Sequence, residues 1–206
     1  MNVSLHGLLL AGGRSSRMGR DKASIVVGGA GLTQARRALE LIRPLCEHTY
    51  LSLREGQPVP EGGEGFRVLR DDHEAEGPLR GILTAFRAEP AAAWLVLACD
   101  LPFVTGSTLA RLVRGHRQDP QRAFVAYANP LDGQPEPLCA IYTPAALPVL
   151  QKHAACGIFS PRRIMMEENT LLLDLPAGVT LANINTPQDM ADPSRAGAGR
   201  VRPQAP

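Results

Sequence analysis

No apolar run in this sequence approaches the ~18–20 residues that a helix needs to cross a bilayer, so a membrane-spanning protein is not expected. The opening MNVSLHGLLLAGG has no basic flank and no small-residue cleavage site, and its apolar stretch ends in glycines, so no export signal is read there. The four cysteines, Cys46, Cys99, Cys139 and Cys156, form no CxxC pair. That argues against a zinc site or a disulfide framework and for reduced thiols in a cytoplasm. Excess charge is missing too: 22 basic and 20 acidic residues leave a formal +2, and no global field points to nucleic acid or a membrane as partner. The five histidines have no mutual spacing suited to a metal, and no Ser/His/Asp or Cys/His set stands out. No repeat or low-complexity block interrupts the body of the chain.

What remains is a globular composition, 44% hydrophobic and 20% charged, in 206 residues. That length suits one domain with a substantial core, expected over residues 1–191. The remainder, 192–206, reads DPSRAGAGRVRPQAP; it is rich in Gly, Pro, Ala and Arg without apolar periodicity, as in a flexible tail.

Periodicity predicts alternating strands and helices. Leu5–Leu10 is an apolar run feeding a glycine turn, and Leu32, Ala35, Leu39 and Ile42 mark one face of a helix over Leu32–Pro44. Strands are expected at His48–Leu53 and Phe66–Leu69, then a helix over Leu79–Arg87 entered through Gly77-Pro78. Trp94–Ala98 is continuously apolar, like a strand covered on both faces, and stops at Cys99-Asp100-Leu101-Pro102. A helix over Thr108–His116, strands at Ala123–Ala128 and Pro137–Tyr142, and a helix begun by Pro144 and running to His153 follow. Val179–Ala182 with Asn183–Asn185 suggests a last strand before a helix opening at Thr186. This order predicts an α/β domain with a mostly parallel sheet and ligands beyond the strand carboxyl ends, the edge that carries Gly12 and Asp100.

After the first strand comes Gly12-Gly13-Arg14-Ser15-Ser16-Arg17-Met18-Gly19-Arg20-Asp21-Lys22. Glycines let backbone N–H groups approach phosphate oxygens, and arginine and lysine neutralise a triphosphate. The segment is neither GxGxxG nor the Walker pattern, and by its chemistry alone it reads equally as a phosphate cradle or an exposed basic turn. Asp100 likewise has two readings. A carboxylate just past a buried strand suits a hard, oxygen-seeking cation, or it caps a helix near Pro102.

LAGGRSSRMGRDK resembles the signature LAGGxSxRMGxDK of the molybdenum cofactor guanylyltransferases and their nucleotidyltransferase relatives. Asp71, the Gly77-Pro78-Leu79-Arg80-Gly81 turn, CDLP at Cys99–Pro102 and Asn183-Ile184-Asn185-Thr186-Pro187 resemble later motifs of that family in the same order, so the resemblance spans about residues 5–190. It implies a three-layer α/β/α Rossmann-like nucleotidyltransferase fold. A nucleotide-binding half would cover about 1–105 and an acceptor-binding half about 106–191.

The same resemblance implies roles. Leu10, Ala11, Gly12 and Gly13 would hold the base and ribose, Arg17 and Lys22 the triphosphate, and Asp71 the nucleotide. Pro78, Leu79 and Gly81 would close against the base, and Asp100 would coordinate Mg²⁺. Arg17, Lys22 and Asp100 would then be the catalytic set. Ser52 stands where these enzymes typically carry Asn, which bears on guanine over another base. On the acceptor side, Asp132-Gly133-Gln134-Pro135-Glu136-Pro137-Leu138 resembles the segment beside the pterin site, naming Gln134 and Pro135. Arg162 and Arg163 resemble an arginine pair suited to an acceptor phosphate, or they form a solvated helix face; Asn183 and Asn185 complete the set. The implied substrates are GTP and molybdopterin, and the product's receivers would be molybdoenzymes or cofactor chaperones. A cytidylyltransferase or a sugar-phosphate nucleotidyltransferase keeps the fold and changes the substrates, and a noncatalytic cofactor-delivery module is the alternative of another class.

Overall fold

Alternation along the strands decides which helices cover which face of the sheet. The computed structural model describes residues 3–12, 31–71, 75–130, 132–176 and 180–182, and these contain seven strands and five α-helices. In β1 (Leu5–Leu10), Leu9 packs into one core and Leu8 into the other. The same split recurs in β2 (Thr49–Arg54), with Leu51 and Leu53 opposite Tyr50, and in β4 (Ala93–Ala98), with Leu95 and Leu97 opposite Trp94 and Val96. A two-residue side-chain period thus supplies both faces with apolar groups, as expected of a central sheet covered twice.

Each face selects its helices by their apolar stripes. α1 (Gln34–Ile42) contributes Ala35, Ala38, Leu39 and Ile42 to the first core, joined there by Leu109, Leu112 and Val113 of α3 (Gly106–Gln118). The second core takes Leu79, Ile82, Leu83 and Phe86 of α2 (Pro78–Ala88), Ala146 and Leu150 of α4 (Ala146–Ala155), and Ile164 and Met165 of α5 (Pro161–Glu167). The result is the expected three-layer α/β/α sandwich.

With β3 (Arg67–Asp71), β5 (Phe124–Ala128), β6 (Pro135–Tyr142) and β7 (Thr170–Leu173), the sheet order is β3-β2-β1-β4-β6-β5-β7. All neighbouring pairs run parallel except those of β6, which is antiparallel to both β4 and β5. Reversing β6 carries its first residues, Pro135 and Glu136, to the edge where β1 and β4 end.

Three expectations are corrected. No strand forms at 180–182; the last described strand is Thr170–Leu173, beside β5. Its four residues, one of them the 44%-exposed Leu172, are too few to show a period. Pro144 sits in a turn and α4 starts at Ala146, after Thr143 Oγ1 donates to the Arg122 carbonyl at 2.8 Å. α5, left out of the periodicity reading and anticipated only by the helix-face alternative for Arg162 and Arg163, is started by Pro161 at its first position and by Ser160, whose hydroxyl accepts from Arg163 N at 3.3 Å. Val179, the remainder of the expected last strand, the helix expected from Thr186 and the tail lie outside the described residues.

Candidate active site

From β1 the chain passes to β2 on one side and later returns to β4 on the other, so β1 and β4 flank the point where strand order reverses. Open α/β sheets bind ligands beyond the strand carboxyl ends at such a point. Leu10 is paired with Ala98 across β1 and β4, and with Ser52 across β1 and β2. One further step keeps the ladder: Cys99 N donates to the Leu10 carbonyl and Ala11 N to the Ser52 carbonyl, both at 3.1 Å. Gly12 and Asp100 therefore leave the sheet side by side. The Ala11 carbonyl is held by buried Gln57, whose Nε2 donates to it at 3.0 Å while its Oε1 accepts from Arg54 N at 3.3 Å.

One wall of this edge gathers four of the sequence-predicted residues from separate elements. Leu10, Ser52 and Asp71 end, or nearly end, β1, β2 and β3, and α2 lays Gly81 against them. Ser52, 1% exposed, donates its hydroxyl to Asp71 Oδ1 at 2.7 Å, which fixes the carboxylate's direction. A Cβ on Gly81 would lie 2.5 Å from Ser52 Oγ and 2.8 Å from Leu10 Cδ2. Glycine inside a helix costs about 1 kcal/mol relative to alanine; here it allows the helix backbone to touch the strand ends. Gly12 closes the same wall, its Cβ position 3.1 Å from Asp71 Oδ2. Pro78 is exposed at the head of α2, whereas Leu79 is fully buried in the core beneath.

The opposite wall is charged. Glu136, 6% exposed, accepts from Arg162 Nη2 at 3.0 Å through Oε2 and from Leu138 N at 3.0 Å through Oε1. Burial pushes its carboxyl up from the usual range; the Leu138 N–H and Arg162 oppose the shift, and the Asp100 charge adds to it. Arg162 Nη1 also lies 3.9 Å from Asp132 Oδ2. The two arginines separate: Arg163 is 62% exposed and pairs with Glu167 one turn on at 2.7 Å, on the solvated side of α5. Gln134 and Pro135 lie at the start of β6, where Gln134 N donates to Asp132 Oδ1 at 3.0 Å.

Asp100 stands between the two walls, half-buried. The capping alternative does not hold for the helix that follows: α3 starts at Gly106 and is capped by Thr105, whose hydroxyl accepts from Thr108 N at 3.2 Å. A divalent cation taken as a nucleotide complex needs only one or two protein carboxylates, because phosphate oxygens and water fill its other positions. A half-buried carboxylate on the ligand-binding edge fits that demand. No group of three or more His, Cys, Asp or Glu suited to holding an ion on its own is present among the described residues.

Gly13, Arg17, Lys22, Asn183 and Asn185 lie outside the described residues. Sequence reasoning missed Gln57 and Glu136. Gln57 had no local signal; Glu136 lay inside a quoted motif, but its burial depends on the reversal of β6.

Residues 7–170 match the model of the MobA-like NTP transferase domain. Among curated proteins, the "Molybdenum cofactor biosynthesis bifunctional protein" of Synechocystis is 36% identical over 185 residues, covering 90% of this chain; the chain spans about half, 52%, of that relative's length. The "Probable molybdenum cofactor guanylyltransferase" of Mycobacterium ulcerans is 33% identical over 199 residues, covering 95% of this chain and 96% of the relative. Among solved structures, molybdopterin-guanine dinucleotide biosynthesis protein A from Archaeoglobus fulgidus shares the fold with a TM-score of 0.71 at 23% identity, over 93% of this chain and 96% of that one. Since the matched region runs from within β1 to the first residue of β7, taking in both walls of the candidate site, the chain belongs to the MobA-like NTP transferase domain family.

Proposed function

We propose that this protein transfers GMP from GTP to the terminal phosphate of molybdopterin, with or without bound molybdenum, and releases pyrophosphate. The observation that carries this reading is the meeting of Leu10, Ser52, Asp71 and Gly81 on one wall beside Asp100, in a chain a third identical to a named guanylyltransferase along nearly its whole length. The nucleotide belongs to the half over about 1–105, with base and ribose against Leu10, Ala11, Gly12, Gly13, Ser52, Asp71, Pro78, Leu79 and Gly81. The acceptor belongs to the half over about 106–191, near Gln134, Pro135, Arg162, Arg163, Asn183 and Asn185.

An oxygen of the acceptor phosphate attacks the α-phosphorus; the new P–O bond forms as the bond to the β-phosphate oxygen breaks, and the electron pair leaves with pyrophosphate. No general base is required, because a phosphate nucleophile is already ionised at neutral pH. The protein's contribution is alignment and charge neutralisation. Arg17 and Lys22 would neutralise charge on the leaving pyrophosphate, and Asp100 would hold Mg²⁺. When bound, that ion withdraws charge from the phosphates and orients them. In this reading the reaction runs in the cytoplasm, in keeping with four cysteines that form no CxxC pair, and molybdoenzymes or cofactor chaperones receive the product.

Pyrophosphate release from GTP, CTP and ATP in the presence of molybdopterin and Mg²⁺ tests the proposal. Turnover with GTP in preference to the others is expected. Preference for CTP would move the protein to the cytidylyl branch, an outcome on which Ser52 in place of Asn bears directly. Nucleotide binding without turnover would favour a delivery module.

A further inference from the structure

A carboxylate is rarely buried without a compensating partner, and Glu136 is 6% exposed at the first turn of β6 into the sheet. Its two oxygens are separately engaged, Oε1 by Leu138 N and Oε2 by Arg162 Nη2, each at 3.0 Å. Carboxylate rotation would break one of these bonds, and Pro135 and Pro137 on either side restrict the backbone that carries it. The strand itself is paired on both sides, to β4 and to β5.

The ladder between β4 and β6 runs from Trp94–Tyr142 to Leu97–Cys139, so the start of β6 that carries Glu136 lies at the end of the sheet where β4 gives way to Asp100. The two carboxylates sense each other electrostatically. Arg162, a third exposed, reaches this position from the first turn of α5 and touches Glu136 with one nitrogen, the contact of another to Asp132 being long at 3.9 Å. A guanidinium has five N–H donors in a planar fork, so donors beyond these contacts remain on its partly exposed side.

We infer that Glu136 is a positioning residue for the transfer, holding the Arg162 guanidinium in the direction from which the acceptor phosphate enters. This rests on the reading of Arg162 as an acceptor contact. Pairing with Glu136 reduces the attraction of Arg162 for an anion but sets the orientation of its fork, on which bidentate phosphate recognition depends.

The test is a separate measurement of KM for molybdopterin and for GTP in Glu136→Gln, Arg162→Gln and the double variant, with thermal unfolding of each. Glu136→Gln is expected to raise the acceptor KM about tenfold or more, in the range seen when a residue supporting a ligating group is lost, and to leave the GTP KM unchanged. The double variant should be no worse than Arg162→Gln alone, because both substitutions remove one coupled unit. A normal acceptor KM in Glu136→Gln alongside a raised one in Arg162→Gln overturns the positioning role and keeps the acceptor reading. A normal acceptor KM in Arg162→Gln overturns both. Equal rises in both KM values would mean a general structural role and also overturn the inference. Should Glu136→Gln fail to fold, Glu136→Asp keeps the charge and shortens the reach, and the same KM split decides.

Discussion

The two walls of the site are made of different interactions. On the side of β1, β2, β3 and α2, the contacts are close and mostly uncharged: a serine hydroxyl on a carboxylate at 2.7 Å, and a helix glycine whose Cβ position is 2.5 Å from that serine. On the side of β6 and α5, side chains of opposite charge do the holding, through Arg162, Glu136 and Asp132. Close packing at backbone level yields a preformed surface suited to a flat base and its ribose, where shape discriminates. Ion pairs suit a phosphate, whose recognition is by charge and fork geometry. A single sheet edge thereby offers two kinds of selectivity, with Asp100 between them.

Removing Asp100 should blur that division most. Asp100→Ala is expected to lower kcat by on the order of 10²-fold or more, comparable with loss of a main electrostatic contact in other active sites, in a protein that still unfolds cooperatively. Pyrophosphate release measures it, and near-normal turnover would place the reaction elsewhere.

Ser52→Ala acts on one wall only. It deletes the hydroxyl donor to Asp71, an interaction worth about 1.5–3 kcal/mol when one partner is charged, so the GTP KM should rise while the acceptor KM holds. A shift in the acceptor KM instead would show that the walls are not independent.

The smallest effect lies away from both. His6 stacks on His48 at 5.1 Å and meets Trp94 edge-on at 5.5 Å at the other end of the sheet, and His116 is buried on α3. Burial lowers the pKa of each below the ordinary 6.5, helped by His48 for His6 and by Arg117 for His116. The unfolded chain therefore takes up protons first as pH falls through 6.5, and stability is expected to decline below that pH and to be complete above it. A thermal midpoint that falls between pH 7 and pH 5.5, and falls less in His6→Phe, is the expected result; a pH-independent midpoint would remove the effect. At pH values where the protein stays folded, the ratio of the two KM values should not follow these histidines.

On this edge, Gly12 and Asp100 were legible from patterning because they follow strands that announce themselves, whereas Ser52, Asp71 and Gly81 were reached through the family resemblance. LLL before AGG and WLVLA before CDLP place Gly12 and Asp100 near one edge once a parallel sheet is assumed. Gln57 was not legible: it follows a surface turn and becomes buried only because the Ala11 carbonyl needs a donor. Nor was Glu136, since a glutamate between two prolines in a polar hairpin reads as solvent-facing. The split between Arg162 and Arg163 was equally hidden, as adjacent arginines on a short helix look alike until a partner is placed beside one of them.

By itself the sequence determined the element order as far as α4, the two-faced strands of a covered sheet and the residues at the strand ends, because apolar periodicity and glycine or proline punctuation act over a few neighbouring residues. Tertiary structure alone decided that β6 enters the sheet between β4 and β5; its direction against β5 follows from a connection too short for a parallel crossover. That insertion brings Glu136 to the end of the sheet that carries Asp100 and gives Arg162 a buried anion 26 residues away. Which strand of the hairpin lies beside β4 depends on how the whole hairpin packs between two helical layers, a long-range balance that no local pattern encodes.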